Sequence, residues 1–268
     1  MALGALVGCA SGAPARPTRG RPHANAWPAI TALELGDFGG AWRSADAALA
    51  IEGRNAQARV VRAVCKAADG YAHLLGSIDG PRALDMAPAS VVRTALERLD
   101  QRLAWADLDL AAAEWDPAFE LELCPACWHD VPRWRDLLEA QADLAGQALP
   151  AGDERRLARF RFDAGDIVWA RGAIASQRAA VSLILAQDPA QAPERRRVAR
   201  QLLGDAEAHA ARARRLFLAE TDDDREWIPG PQQHRTSAAP LIERLRQAVA
   251  VTRAAGTTAP ELLRQVLW

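Results

Sequence analysis

An all-α fold is what this sequence predicts, on three observations. Apolar residues recur at 3.6-type spacing along most of the chain, convincing period-two alternation is missing beyond residue 26, and helix start signals precede the apolar runs. Val92, Leu96, Leu99, Leu103 and Leu110 form one stripe; Ile167, Ala170, Ile174, Val181 and Ile184 a second; Ala199, Leu203, Ala206, Ala210, Ala213 and Phe217 a third. Each stripe can bury one helix face against a neighbour. Alanine, at 60 of 268 positions, lets such helices approach closely. The expected architecture is antiparallel helical hairpins packed as an array or bundle. About eight or nine helices are expected, near residues 27–35, 38–51, 55–76, 89–113, 132–148, 163–187, 193–219, 240–254 and 259–267.

The start signals run in the same order. Asn55 precedes the run Val60 to Leu75, Ser90 precedes the first stripe, Asp163 with Asp166 opens the second, and Pro193 sits where a first helical turn tolerates proline. Gln177 interrupts the second stripe at a position the spacing buries, where an interhelical hydrogen bond is expected.

Ahead of the helices lies a different kind of sequence. The chain opens on an apolar run that ends Leu6-Val7-Gly8-Cys9, and residues 10–25 carry three prolines, two glycines and three arginines with no aliphatic side chain larger than alanine. That second stretch cannot build a core and reads as a flexible tether. Leu6-Val7-Gly8-Cys9 resembles the lipobox of bacterial lipoproteins, whose cysteine is lipidated and becomes the first residue of the mature protein. Small residues before Cys9 suit peptidase access, and multiple acyl chains suffice for stable anchoring. Only eight residues precede Cys9 and none is Lys or Arg, a departure from the usual basic leader. The resemblance implies a signal remnant at 1–8 and a lipidated tether at 9–26, and the helical spacing predicts a single all-α domain at 27–268. It also implies a cell-envelope protein anchored to a membrane, with the outer membrane as the expected location, facing periplasm or surface. The alternative is an ordinary cysteine in a frayed N-terminus.

Two further resemblances concern the helical part. Leu35-Gly36-Asp37-Phe38, then Ala41, Ala45 and Ala48, then Asn55-Ala56-Gln57-Ala58-Arg59, resembles a tetratricopeptide repeat. It has an aromatic at the start of the second helix, small residues at the crossing and a short turn onward, with Gly53 where the repeat has proline. No second copy follows at a spacing of 34, so the hairpin at about 27–76 is expected to dock on the remaining helices. The strings Ala58-Arg59-Val60-Val61-Arg62-Ala63, Arg161 to Gly172 and Ala219 to Pro229 resemble those of uncharacterised helical, lipoprotein-like bacterial proteins, many of them myxobacterial. Residues 236–268 do not follow that group's ending, and the resemblance implies architecture without catalytic residues.

Composition narrows the function classes. Hydrophobic residues make up 50% and charged residues 25%, which excludes a disordered chain. A formal net charge of −1 lacks the basic excess of a nucleic-acid binder, so no nucleic-acid partner is expected. The cations are arginines except Lys66. No zincin, serine-hydrolase, P-loop or dinucleotide-binding motif occurs, so those enzyme classes receive no support.

Three local patterns remain as candidate sites. Cys124-Pro125-Ala126-Cys127-Trp128-His129 can close a disulfide, bind a soft metal such as zinc through Cys124, Cys127 and His129, or act as a redox pair. Export would favour a plain disulfide. No cofactor is expected unless that zinc site forms. Asp222, Asp223, Asp224 and Glu226 could hold calcium, but their spacing lacks the alternation of a calcium loop, and an acidic solvated loop pinned by Trp227 is the simpler expectation. Asp163 and Asp166 could form a general acid/base pair, although helix capping accounts for both. Most of the nine tryptophans are expected in the core or at helix junctions. The leading functional expectation is a lipid-anchored scaffold or protein-interaction module. The alternatives are a metal- or thiol-dependent enzyme or sensor at Cys124, Cys127 and His129, and a small-ligand binder with a tryptophan-lined cavity.

Overall fold

The computed structural model of the chain describes residues 23–77, 88–116, 118–124 and 160–219. Within them run α1 (Trp27–Glu34), α2 (Phe38–Ile51), α3 (Ala56–Ser77), α4 (Ala89–Ala113), β1 (Leu121–Leu123), β2 (Phe160–Phe162), α5 (Ala164–Leu185) and α6 (Ala192–Ala219). The described residues are predominantly helical. The helices expected at 132–148, 240–254 and 259–267 lie outside them.

Local chemistry sets each boundary. At the end of α1 the Asp37 amide donates to the Ala32 carbonyl and the Gly36 amide to that of Leu33, each at 2.9 Å, the paired bonds of a Schellman cap. That cap needs a left-handed residue, and Gly36 supplies it at φ 73°. Asp37 then caps α2, its carboxylate accepting from the Gly40 amide at 2.8 Å. Asn55 does the same for α3 by accepting from Ala58 at 2.9 Å. Ser90 does not cap α4: the helix starts at Ala89 behind Pro88, which puts Ser90 inside the first turn. Pro88 fixes the entry and has no amide to satisfy.

The strands were not expected. β1 and β2 pair antiparallel with Leu121 opposite Phe162 and Leu123 opposite Phe160. Three residues hold barely one period of alternation, too few to register as a pattern. Their effect is local: Leu121 and Leu123 join the core, and β2 delivers the chain directly to Asp163, the cap of α5.

One continuous core draws on α1 to α5 and β1, with Leu96, Leu99 and Leu103 of α4 at its centre. All five residues of the first stripe are buried. The α3–α4 contact is close because Gly70 lies there; a Cβ at that position would stand 3.0 Å from both Leu99 and Arg102. α6 packs on α5 through Ala199, Leu203, Ala206, Ala213 and Phe217. One expectation needs correction. Residues 23–26 are not tether: they form a turn in which Ala26 is fully buried and His23 pairs with Glu52 at 3.2 Å. Of the tryptophans among the described residues, Trp42 and Trp169 are half-buried and pack against the core, and Trp27, Trp105 and Trp115 are exposed, Trp27 and Trp115 at helix ends. Alanine-lined contacts bring helices too close to leave room for an indole.

Gly36→Ala should cost about 1 kcal/mol in urea unfolding, because alanine resists the left-handed conformation. Gly53→Ala, exposed and with no such backbone demand, should be neutral within about 0.5 kcal/mol. Equal costs at the two positions would contradict this account of the α1–α2 turn.

Candidate functional site

α4 presents three chemically different flanks besides its core face, and they follow from its sequence at 100° per residue. Toward α3 it presents Asp109, whose side chain is 3% exposed. Arg62 grips this carboxylate through Nε at 2.9 Å and Nη2 at 2.6 Å, Lys66 Nζ donates at 2.7 Å, and Arg59 lies at 3.6 Å. The three cations fall at i, i+3 and i+7 of α3, one helical face. Arg62 also donates to Asp46 of α2 at 2.8 Å, so one guanidinium ties three helices. The hydrogen bond to Asp109 is the main reason the Arg62 guanidinium holds its proton more tightly than usual.

Toward α5 the acids recur every seven residues. Arg178 donates to Asp100 at 2.8 Å, and Arg171 donates to Asp107 at 2.8 Å and to Glu114 at 2.5 Å. Arg212 of α6 also pairs with Glu114, and Arg195 of α6 lies 3.7 Å from Glu97. These two pairs are 17 residues apart on both helices, so α4 and α6 run parallel with α5 antiparallel to each. Burial alone would lower the Arg171 pKa; its bonds to Asp107 and Glu114 outweigh that and raise it. Nearby His209 is pushed the other way, by burial and by the Arg171 charge, and stays neutral at lower pH than a free imidazole.

The third flank faces solvent. Its N-terminal half is polar: Thr94, Glu97, Arg98, Gln101 and Arg102 line an open groove of about 530 Å³. Its C-terminal half is apolar, with Trp105 38% exposed, Leu108 66% and Trp115, in the turn just past the helix, 87%. Between the halves the Arg102 guanidinium sits 5.1 Å from the Trp42 ring centroid and 5.0 Å from that of Trp105, with Nε 2.7 Å from Asp69. The groove's arginines are engaged by Asp69.

The candidate residues from sequence fare unequally. Cys124 directly follows β1, is 2% exposed and is disulfide-bonded, its partner lying outside the described residues. Cys9, Cys127, His129, Asp222, Asp223, Asp224 and Glu226 also lie outside them. Asp163 and Asp166 form a capping box: Asp163 accepts from Gly165 at 2.7 Å and Asp166 at 3.2 Å, and Asp166 accepts from the Asp163 amide at 3.1 Å. Capping employs the carboxylates that a proton-transfer pair would need free. Gln177 is only half-buried, not enclosed as its spacing implied. Cys65 is a free thiol, 1% exposed, which burial above all, then Asp37 and Asp46, pushes up to about 12. Among the described residues no group of three or more His, Cys, Asp or Glu is placed to hold a metal ion.

Sequence inspection missed Asp109 and the solvent-facing flank. Both had a signal: an acid at the edge of an apolar stripe opposite three spaced cations, and Trp105 and Leu108 on the far side of the same helix with Trp115 just past its end. No family model, curated protein or solved structure matches the chain.

Asp109→Ala should destabilise the protein by about 3–5 kcal/mol in chemical denaturation, since it strands Lys66 without its counter-charge and leaves Arg62 only the exposed Asp46. Asp46→Ala, at an exposed partner of the same guanidinium, should cost less than about 1 kcal/mol. Cys65 should resist alkylation in the native protein at about pH 8 and react fully once unfolded; rapid native labelling would contradict its enclosed, protonated state.

Proposed function

We propose that the protein is a lipid-anchored, helical interaction module of the bacterial cell envelope, tethered through Cys9 and engaging a protein partner with the solvent-facing flank of α4. One observation carries the interaction half: Trp105 and Leu108 are exposed on one face of α4 and Trp115 in the turn just past it, while the flanks toward α3 and α5 are engaged in packing and ion pairs. Large apolar side chains grouped on one face mark contact surfaces more often than single exposed ones do. The anchoring half is supported by Leu6-Val7-Gly8-Cys9 and the Pro/Gly/Arg tether behind it. Among the described residues no helix is long and apolar enough to cross a membrane, so on this reading attachment is the work of the lipid. The buried Ala41, Ala45 and Ala48 of α2 support a tetratricopeptide-like packing of the α1–α2 hairpin, and the outer membrane, facing periplasm or surface, is the location proposed. Nucleic acid is not among the partners proposed, given the balanced charge.

The second reading, a metal- or thiol-dependent enzyme or sensor at Cys124, Cys127 and His129, has less support. A disulfide sulfur is neither a thiolate ligand nor a nucleophile, and Cys124 is bonded in that way. A ligand-binding cavity lined by tryptophans likewise has little behind it, since the described indoles lie at the surface or half-buried.

Cys9→Ser should release the protein from membranes and abolish incorporation of a fatty-acid analogue, while the unsubstituted chain labels and sediments with membranes. A Cys9→Ser protein that still labels and still fractionates with membranes would overturn the anchor.

A further inference from the structure

We infer that the solvent-facing flank of α4 pairs with the same flank of a second copy of this chain, which names the partner within the proposed function and rests on reading that flank as its contact surface. Trp105, Leu108, Ala112 and Trp115 succeed one another at steps of three, four and three residues. The spacing therefore reads the same from either end. Two copies of α4, each with the turn that follows it, laid antiparallel about a two-fold axis level with Leu110 set Trp105 of each against Trp115 of the other, and Leu108 of each against Ala112 of the other. That is the self-complementarity a two-fold interface requires. A large residue meets a small one at both central contacts, so the helices can close without a steric conflict. Leu110 keeps its place in the core of its own chain, at 5% exposure.

Charge fits the same register. Asp116 is exposed just beyond the end of α4, and antiparallel pairing carries it to the turn of the other copy that holds Gln101 and Arg102. Arg102 is fixed there between Trp42 and Trp105, with Asp69 at its Nε. Arg98 and Arg102 share the one carboxylate of Asp69, so a net positive charge stays there to meet Asp116 at both rims of the apolar strip, and reversing one helix would lose that match. A parallel pairing would instead bring like charges together.

Size sets the strength. A tryptophan encloses about 150–250 Å² when fully buried, and two tryptophans with one leucine from each copy stay below the roughly 800 Å² per partner of a standard stable complex. The dimer is therefore weak and concentration-dependent in free solution. Confinement to a membrane surface through Cys9 would raise the effective concentration enough to populate it.

Sedimentation equilibrium of the full, unacylated chain over a concentration series tests the pairing. The expected result is a reversible dimer that Leu108→Glu, and separately Trp115→Glu, weaken by about a hundredfold or more. Trp27→Glu, at an exposed indole on α1, should leave it unchanged. All three variants should keep the helical circular dichroism and unfolding midpoint of the parent, because each site is exposed. A monomer at every concentration, or a dimer indifferent to Leu108→Glu, would overturn the pairing. Neither result bears on release of Cys9→Ser from membranes, so failure of the pairing and failure of the anchor are told apart.

Discussion

Everything in this structure is arranged around one buried carboxylate. Asp109 sits in a 25-residue helix that is otherwise apolar toward the core, and an ionised group so enclosed is tolerable only when its charge and its lone pairs are met on the spot. Arg62 and Lys66 meet them from α3, and Arg62 extends the cluster to α2. A one-residue slip of α4 against α3 would bury the acid without its cations. The cluster therefore fixes register and rotation more than it adds net stability, and every other flank of α4 takes its direction from that setting.

With α4 so oriented, Asp100, Asp107 and Glu114 face α5 and recruit Arg171 and Arg178, while Glu97 and Glu114 reach α6. The near-zero net charge of the chain acquires a structural sense: many of its arginines and acids cancel between neighbouring helices. The alanine content has a similar consequence. Close helix contacts exclude bulky rings, and Gly70 takes the α3–α4 approach to the point where even a Cβ would crowd Leu99. Indoles are displaced to the rim, where Trp42 and Trp105 clasp Arg102 and Trp115 stands in solvent. The apolar surface offered to a partner is thus a by-product of how the interior is packed.

Much of the fold could be read from sequence because it rests on local signals. The stripe from Val92 to Leu110 marked the core face of α4, Asp163 and Asp166 marked the start of α5, and Gly36 marked the first turn; each depends on residues within a turn or two of one another. The short ladder of β1 and β2 was not legible, since its partners are some 40 residues apart and each strand is too short to carry a period. Ser90 misled because a good capping residue can lie one position inside a helix whose entry proline already dictates. The Asp109 cluster was half legible: Arg59, Arg62 and Lys66 share a face by spacing alone, but which acid they meet is decided by packing across 43 or more residues. Trp105 lies mid-helix and partly exposed because residue type predicts burial only when the core has room for the ring.

Native-state hydrogen exchange measured amide by amide along α4 tests the organising role of Asp109 most directly. If the cluster holds α4 in place, the amides from Leu103 to Leu110 exchange only by global unfolding, with an opening free energy equal to that from denaturation, and are the slowest in the described body. Exchange of those amides through a local opening well below the global value, with α5 and α6 staying protected, would contradict that role.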